Sequence, residues 1–375
     1  MEPFFKDKHY CGSYIGMFES VGRKKTLLIA SRPLANDGLT KIEMDVVHTC
    51  KDQIDFEIAC CFGFDNAYGD ELRKQKIICH VLPNKKNPVA YMIAIYNLVK
   101  KRKYDVVYIH GNSAMMFLEA IPSKIAGVKV ITHCHNTRSD FPAIHYIMKP
   151  VFNCFVDTKI GCSSFASKWA YCGKGIITIP NGIESKKFEY NKYMRHIKRT
   201  ELEWDNKKIV GHIGRFNKQK NHMKLIGIFD EMHKIDKNVR LLLIGDGELR
   251  DDIEKEVSIR GLENVVTILD YTNRPQDYMQ AMDIMIMPSL FEGLCLVAVE
   301  AQANGLPVLI DCFFPPETRA TEQAVAVDLS LPDEAWAKEG LNLINKGRKN
   351  VADQIKEKKM EQSDMMESIR EILTA

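Results

Sequence analysis

SLFEGLCLVAVEAQAN, residues Ser289–Asn304, holds two acids, Glu292 and Glu300, with seven residues between them. Glu292 follows the apolar run Ile284–Met287 and sits in a turn containing Gly293, whereas Glu300 lies inside Leu296–Ala303, which reads as a helix. This spacing puts one carboxylate on a loop at a strand's end and the other about two turns down the next helix. Between them, the amides of Gly293, Leu294, Cys295 and Leu296 would point outward with partial positive charge, where an anionic group can bind. Two acids able to grip sugar hydroxyls around a site that prefers phosphate suggest a sugar-nucleotide pocket. Taken alone, the pair is more simply read as surface carboxylates, so the rest of the chain decides.

The chain has 375 residues, enough for two domains of ordinary size. At 45% hydrophobic and 27% charged it reads as globular and soluble, and a net charge of +3 gives no reason to expect nucleic acid as a partner. Eleven cysteines fall mostly inside apolar runs, and no pair has the C-x2-C spacing of a zinc site. They read as reduced, buried thiols of a cytoplasmic protein. The start, MEPFFKDKHYCGSYIG, has no basic segment followed by an apolar core, and no uncharged apolar stretch reaches spanning length.

Met1–Arg23 shows no period and is left unassigned. Thr26–Ala30 is then a short apolar run of the kind buried in a parallel sheet, followed by a loop with Pro33 and Gly38 and a helix at Ile42–His48. Further strands are expected at Phe56–Phe62, Ile77–Leu82, Val106–His110, Val128–His133 and Lys159–Cys162, with a helix around Val89–Lys101. A second series opens at Lys208–Gly214 and continues through strands Val239–Ile244, Val265–Leu269, Ile284–Pro288, Leu306–Ile310 and Ala324–Val327. Alternating strands and helices make two doubly wound α/β units, whose ligands sit off the carboxyl ends of the strands. The boundaries read as residues 1–190 for the first domain, a polar linker at 191–206 containing Trp204, 207–350 for the second, and a charged helical tail at 351–375.

GHIGRFNKQKNH, Gly211–His222, places Gly214 at a strand's end, Arg215 in the loop and Lys220 where the next helix begins. Such cations suit a diphosphate: Arg grips oxygens bidentately and Lys acts as a point charge. VITHCHNTRSD carries His133 and His135 two residues apart, on one face if the strand continues that far. A zinc site would need further ligands, and none of the right spacing is near. Buried, hydrogen-bonded histidines are the plain alternative.

Together these strings resemble the retaining glycosyltransferases of family 4, which have the GT-B fold: the E-x7-E pair with its EGL, VE and NGLPVLI wording, the G-R…K loop, and the H-x-H-N string of exopolysaccharide-type members. The resemblance implies two facing Rossmann-like domains around a central cleft, with the C-terminal helix crossing back to the first. It implies that Glu300 holds the ribose hydroxyls and Glu292 those of the transferred sugar. Arg215 and Lys220 would take the diphosphate in place of a metal, and no Asp-x-Asp metal motif occurs in the chain. His135, or else His133, would support the reaction centre near the donor sugar. Gly38 matches a glycine loop that approaches the donor phosphates, although the family often has two glycines there and Asp37 precedes a single one here. Gly214 belongs to the diphosphate loop, Tyr271 lies where backbone holds the base, and Cys295 stands where relatives more often have Gly, Pro or Ser. GDGELR, Gly245–Arg250, resembles a donor-side turn, and Asn181-Gly182 a string that shapes the hinge side of the cleft.

The implied activity is retaining transfer from a nucleotide-diphosphate sugar, a UDP-sugar by preference, to a glycan or polyprenyl-linked acceptor in surface polysaccharide synthesis. No metal or other cofactor is expected. The basic run Lys100–Lys103, after an apolar helix face, reads either as a solvated helix end or as a patch resting on the inner face of the cytoplasmic membrane. The competing readings are another GT-B enzyme, such as an epimerase or a phosphorylase, and a catalytically silent sugar-nucleotide-binding subunit.

Overall fold

The computed structural model describes residues 23–34, 38–61, 63 and 66–375; the unassigned start up to residue 22, Asp37, and Phe62 at the end of one expected strand lie outside them. The first domain opens with β1 (Lys24–Ala30), α1 (Gly38–Cys50), β2 (Ile54–Cys61), α2 (Asn66–Lys74), β3 (Ile78–Leu82), α3 (Pro88–Arg102) and β4 (Val106–Gly111). It continues with α4 (Phe117–Ile125), β5 (Lys129–Cys134), α5 (Pro142–Cys154), β6 (Thr158–Gly161), α6 (Ser164–Ala170), β7 (Ile176–Thr178) and α7 (Ser185–Phe188). After α8 (Lys192–Glu201), the second domain runs β8 (Lys208–Ile213), α9 (His222–Ile235), β9 (Val239–Ile244), α10 (Arg250–Ile259), β10 (Val266–Leu269), α11 (Pro275–Ala281) and β11 (Ile284–Met287). Then come α12 (Leu296–Ala303), β12 (Val308–Asp311), β13 (Ala324–Val327), α13 (Asp333–Lys346), α14 (Ala352–Glu357) and α15 (Gln362–Thr374).

Apolar runs such as Leu27–Ala30 and Ile284–Met287 are fully buried because helices cover both faces of each sheet. Every pairing between the named strands is parallel. The orders are β3-β2-β1-β4-β5-β6-β7 and β10-β9-β8-β11-β12-β13, so the winding reverses between β1 and β4 and between β8 and β11. At those reversals the helices part and leave a crevice beyond the carboxyl ends of the strands. The two carboxyl edges face one another: Thr137, after β5, donates its hydroxyl to the carbonyl of Glu292, after β11, at 3.0 Å.

Several elements differ from the sequence expectation. The first helix starts at Gly38 rather than Ile42, making Gly38 a helix N-terminus rather than a loop residue. The polar stretch 191–206 contains α8, not a bare linker. Arg195 and Arg199, one turn apart, clamp the two oxygens of Asp283, each at 2.5 Å, and Trp204 is buried. High charge there serves to tie this helix to the second domain.

The chain then returns. Ile183 donates to the carbonyl of Met360 and accepts from Gln362, both at 2.9 Å, and a Cβ on Gly182 would collide with the backbone of Glu361. Beyond this strap, Met365, Met366, Ile369 and Leu373 of α15 pack into the first domain's core beside Leu28, Met44, Val47 and Tyr108. Ile369 is wholly buried. Ile369→Ala should cost about 2–5 kcal/mol, read as earlier urea unfolding of the first domain's amides by hydrogen exchange, although residue 369 lies at the far end of the chain.

Candidate active site

The second domain's half begins at the loop leaving β8. Gly214 donates to the Ile244 carbonyl at 3.0 Å and Phe216 to that of Asp246 at 2.8 Å. Gly245 and Gly247, both at φ +155°, lie so close that a Cβ on either would run into the carbonyls of Gly214 and Phe216. GDGELR therefore braces the Arg215 loop. Arg215 itself is exposed and, among the described residues, paired only with exposed Glu248 at 3.6 Å. Such pairs contribute about 0–1 kcal/mol, so the guanidinium is free to turn toward an anion.

Lys220 ends a short 3-10 turn, Lys218–Lys220, capped by the side chain of Asn217. Its ammonium meets Glu292 Oε1 at 2.7 Å while Gln219 Nε2 donates to Oε2 at 3.2 Å. Both members of the ion pair are largely buried. Burial works against the Lys220 charge, but the Glu292 carboxylate beside it more than compensates and raises its pKa. The two residues assigned separately to diphosphate and sugar are thus one unit. Cys295, buried just ahead of α12, has its thiol pushed up to about 12 by burial, with Glu292 adding to the effect, and is a neutral packing group.

Glu300 is half-buried on α12, and burial raises its carboxyl to about 6 against the pull of Lys41 and Lys187. Lys41 sits in the first turn of α1, which brings that turn, with Gly38, toward Glu300 from the opposite domain. A Cβ on Gly38 would meet no atom of the described residues, so nothing among them demands glycine there. Gly293 has the opposite character: its Cβ would strike the carbonyl of His135, so the domains approach through this glycine. Tyr271 is 55% exposed in the loop beyond β10.

The first domain contributes three histidines where sequence reading named two. His133, next to last in β5, pairs in register with His110, next to last in β4. His135 Nε2 lies 3.1 Å from His110 Nδ1, and the Tyr108 hydroxyl lies 2.8 Å from His133 Nδ1. Burial holds all three imidazoles neutral, His133 down to about 3 and the other two well below the usual histidine range. One nitrogen from each lies within 4.8 Å of the others, close enough to hold a metal ion. The signal for His110 was present, since it ends an apolar strand just as His133 does, but strand order alone brings them together.

Between the domains lies a cavity of about 1040 Å³ whose wall includes His110, Arg32, Lys85, Arg138, Lys218 and Phe291. Lys85 is anchored by buried Glu119 at 2.5 Å, and Arg138 stacks over the Phe291 ring at 4.7 Å. Sequence reading assigned none of these cations; they come from separate loops.

The family described as "Glycosyl transferases group 1" matches residues 194–359. EpsF of Bacillus subtilis (strain 168), a glycosyltransferase by its name, is 27% identical over 272 residues, covering 67% of this chain and 69% of EpsF. UDP-Gal:alpha-D-GlcNAc-diphosphoundecaprenol alpha-1,3-galactosyltransferase of Escherichia coli is 28% identical over 240 residues, covering 58% of this chain and 60% of that enzyme. Among solved structures, Anabaena Alr3699/HepE in complex with UDP superposes with a TM-score of 0.78 at 19% identity, over 94% of this chain and 99% of that one. TarM of S. aureus gives 0.71 at 13% identity, over 94% and 100%. The match to the glycosyl transferases group 1 family is confined to the second domain, and the chain has the GT-B fold of a glycosyltransferase.

Proposed function

We propose that this glycosyltransferase moves a sugar from a UDP-sugar, with retention of anomeric configuration, to a lipid-diphosphate-linked glycan in polysaccharide synthesis. The observation that carries the reading is the buried Lys220–Glu292 pair set against the start of α12, with Glu300 about one turn into that helix rather than the two expected from the spacing. Glu300 would accept the ribose hydroxyls and Glu292 those of the sugar. Lys220, Arg215 and the amides from Gly293 to Leu296 would take the diphosphate, with Gly214 and Gly38 lining its approach. Tyr271 lies on the loop that would face the base. Charge developing on the departing diphosphate meets fixed cations and dipoles, which is electrostatic catalysis without a metal.

In the proposed step the bond from C1 to the diphosphate oxygen breaks first. The acceptor hydroxyl then forms its bond to C1 on the same face and gives its proton to the departing phosphate. Neutral His135, hydrogen-bonded to His110, would contact the sugar, with His133 behind it. The E. coli relative is named for a diphosphoundecaprenol acceptor. The cations Lys85, Arg138 and Lys218 in the cavity suit such a diphosphate. No helix among the described residues is long and apolar enough to cross a membrane, which suits a peripheral enzyme acting at the inner face.

The test is release of sugar from UDP-, GDP- and ADP-sugars in EDTA, with the anomer of the product read by NMR. EDTA-resistant turnover of UDP-sugar, with retention and lost in Glu300→Ala, is the expected result. A requirement for added metal would overturn the Arg215 and Lys220 account and direct attention to the three histidines. pH gives a second reading. Glu300 titrates at about 6 in the folded chain, so it is ionised and accepts hydroxyls above that pH. The donor KM should rise as pH falls through about 6, and Glu300→Gln should remove that step.

A further inference from the structure

Three imidazoles meet where β4 and β5 end. His110 and His133 are wholly buried and His135 is half-buried. Buried side-chain nitrogens normally find hydrogen-bond partners. Here the contact between His135 and His110 and the contact between Tyr108 and His133 engage three of the ring nitrogens. His110 Nε2 and His133 Nε2 are buried without a partner among the described residues. Asn181 acts on His135, and its own buried Oδ1 has no other partner among them. Orphaned polar atoms of this kind mark a catalytic part or an occupant. A part for His135 beside the donor sugar leaves the nitrogens of His110 and His133 unexplained.

The spacing fits a metal ion. Two nitrogens on a tetrahedral zinc, each about 2.0–2.1 Å from it, stand roughly 3.3 Å apart, and His135 Nε2 lies 3.1 Å from His110 Nδ1. One nitrogen of His133 is within 4.8 Å of both partners, so small ring movements close the set. The Tyr108 hydroxyl engages His133 Nδ1 and leaves Nε2 to ligate. Asn181 Oδ1 would take an N–H from His135 Nδ1 and leave that ring's Nε2 to ligate. Outer partners of this type orient metal-bound histidines. Burial keeps all three rings neutral, so each has a lone pair to give. The proton now shared between His135 and His110 would move to the outer nitrogen of the ring that holds it. Glu43 Oε1, 4.0 Å from His110 Nδ1, adds negative charge, offset in part by Arg32, which pairs with Glu43 at 3.3 Å. Imidazole selects zinc, copper or nickel over magnesium and calcium, which prefer oxygen ligands.

We propose that His110, His133 and His135 form a binding site for a divalent cation such as zinc, with three imidazole ligands and a fourth position open to the cavity that His110 lines. The ion has no part in the transfer step. It takes up the imidazole nitrogens that the donor sugar would otherwise meet, so zinc and the donor compete. That competition, unlike the ion site itself, rests on the placement of the sugar beside His135.

The test is zinc binding by the chelator-stripped full chain, measured by titration calorimetry and by X-ray absorption at the zinc edge with one equivalent bound, for wild type, His110→Gln and Tyr108→Phe. Wild type should show imidazole nitrogens at about 2.0–2.1 Å, and magnesium in about hundredfold excess should not displace the zinc. His110→Gln should lose about tenfold or more in affinity. Tyr108→Phe keeps the ring and every ligand and should lose about tenfold, which holds the proposal to account even if the histidine variant does not fold. No zinc bound by wild type, or an affinity unchanged in either folded variant, would overturn the site. So would sulfur at about 2.3 Å, which would place the zinc at exposed Cys312 with Asp311 and Asp328, the other close set of ligand atoms among the described residues. Donor hydrolysis is read separately, and zinc should raise the KM for a UDP-sugar. Zinc held by the imidazoles with hydrolysis untouched would leave the ion site standing and overturn the placement of the sugar beside His135.

Discussion

Lys220→Ala should lower turnover of the sugar donor by about 10²–10³-fold, the cost of removing one fixed charge that meets charge developing in the transition state. It should also destabilise the second domain, because Glu292 is left buried with only Gln219 Nε2 at 3.2 Å on its side chain. Breaking a buried pair from one side costs about 3–5 kcal/mol. The two effects separate in a double variant. Lys220→Met with Glu292→Gln removes both charges together and should recover much of the lost stability while activity stays down. Measured by urea unfolding and by donor hydrolysis, recovery of both would mean that neither charge takes part in the reaction. Stability that stays low would mean that an unpaired Glu292 is not what destabilises Lys220→Ala.

Gly293→Ala is the second large effect, and its origin is steric. The added methyl would enter the space of the His135 carbonyl, across the cleft from its own domain. The clash lies where the domains meet rather than within either sheet, so thermal stability should change less than turnover. Closure should not: turnover should fall by about 100-fold, in line with the loss expected when reacting groups are held about 1 Å out of place. If domain motion excludes water and assembles the site, small-angle scattering with UDP should show the variant staying extended where wild type compacts. A variant with wild-type turnover would mean that the Gly293–His135 approach has no part in the reaction.

The sheets were legible because parallel strands buried on both faces read as short apolar runs, and runs such as Thr26–Ala30 and Val239–Ile244 lie in the strands expected of them. The Lys220, Glu292 and Glu300 positions were legible because each sits at a strand end or in the helix that follows. What escaped was pairing across long separations. His110 and His133 look unrelated until β4 and β5 lie side by side, and no local pattern announces that Lys41 of one domain acts on Glu300 of the other. The stretch 191–206 was misread for a different reason. High polarity usually means solvent, but Arg195 and Arg199 turn theirs inward onto Asp283. α5 shows the reverse, an apolar stripe that periodicity alone would assign to the core.

The strap at Ile183 and the docking of α15 bear on the order in which the molecule can be made. Part of the first domain's core is supplied by Met365, Met366, Ile369 and Leu373. That domain's own strands end at Thr178. A ribosome adding about 5–20 residues per second needs roughly 10–40 s to reach those side chains from there. Through that interval the nascent first domain carries an uncovered apolar trough along α1. The second domain, whose sheet is complete by Val327, can fold while its predecessor is still waiting. Biogenesis would then run against the order of synthesis, with the later domain settling first and the earlier one sealed by a helix made after both sheets.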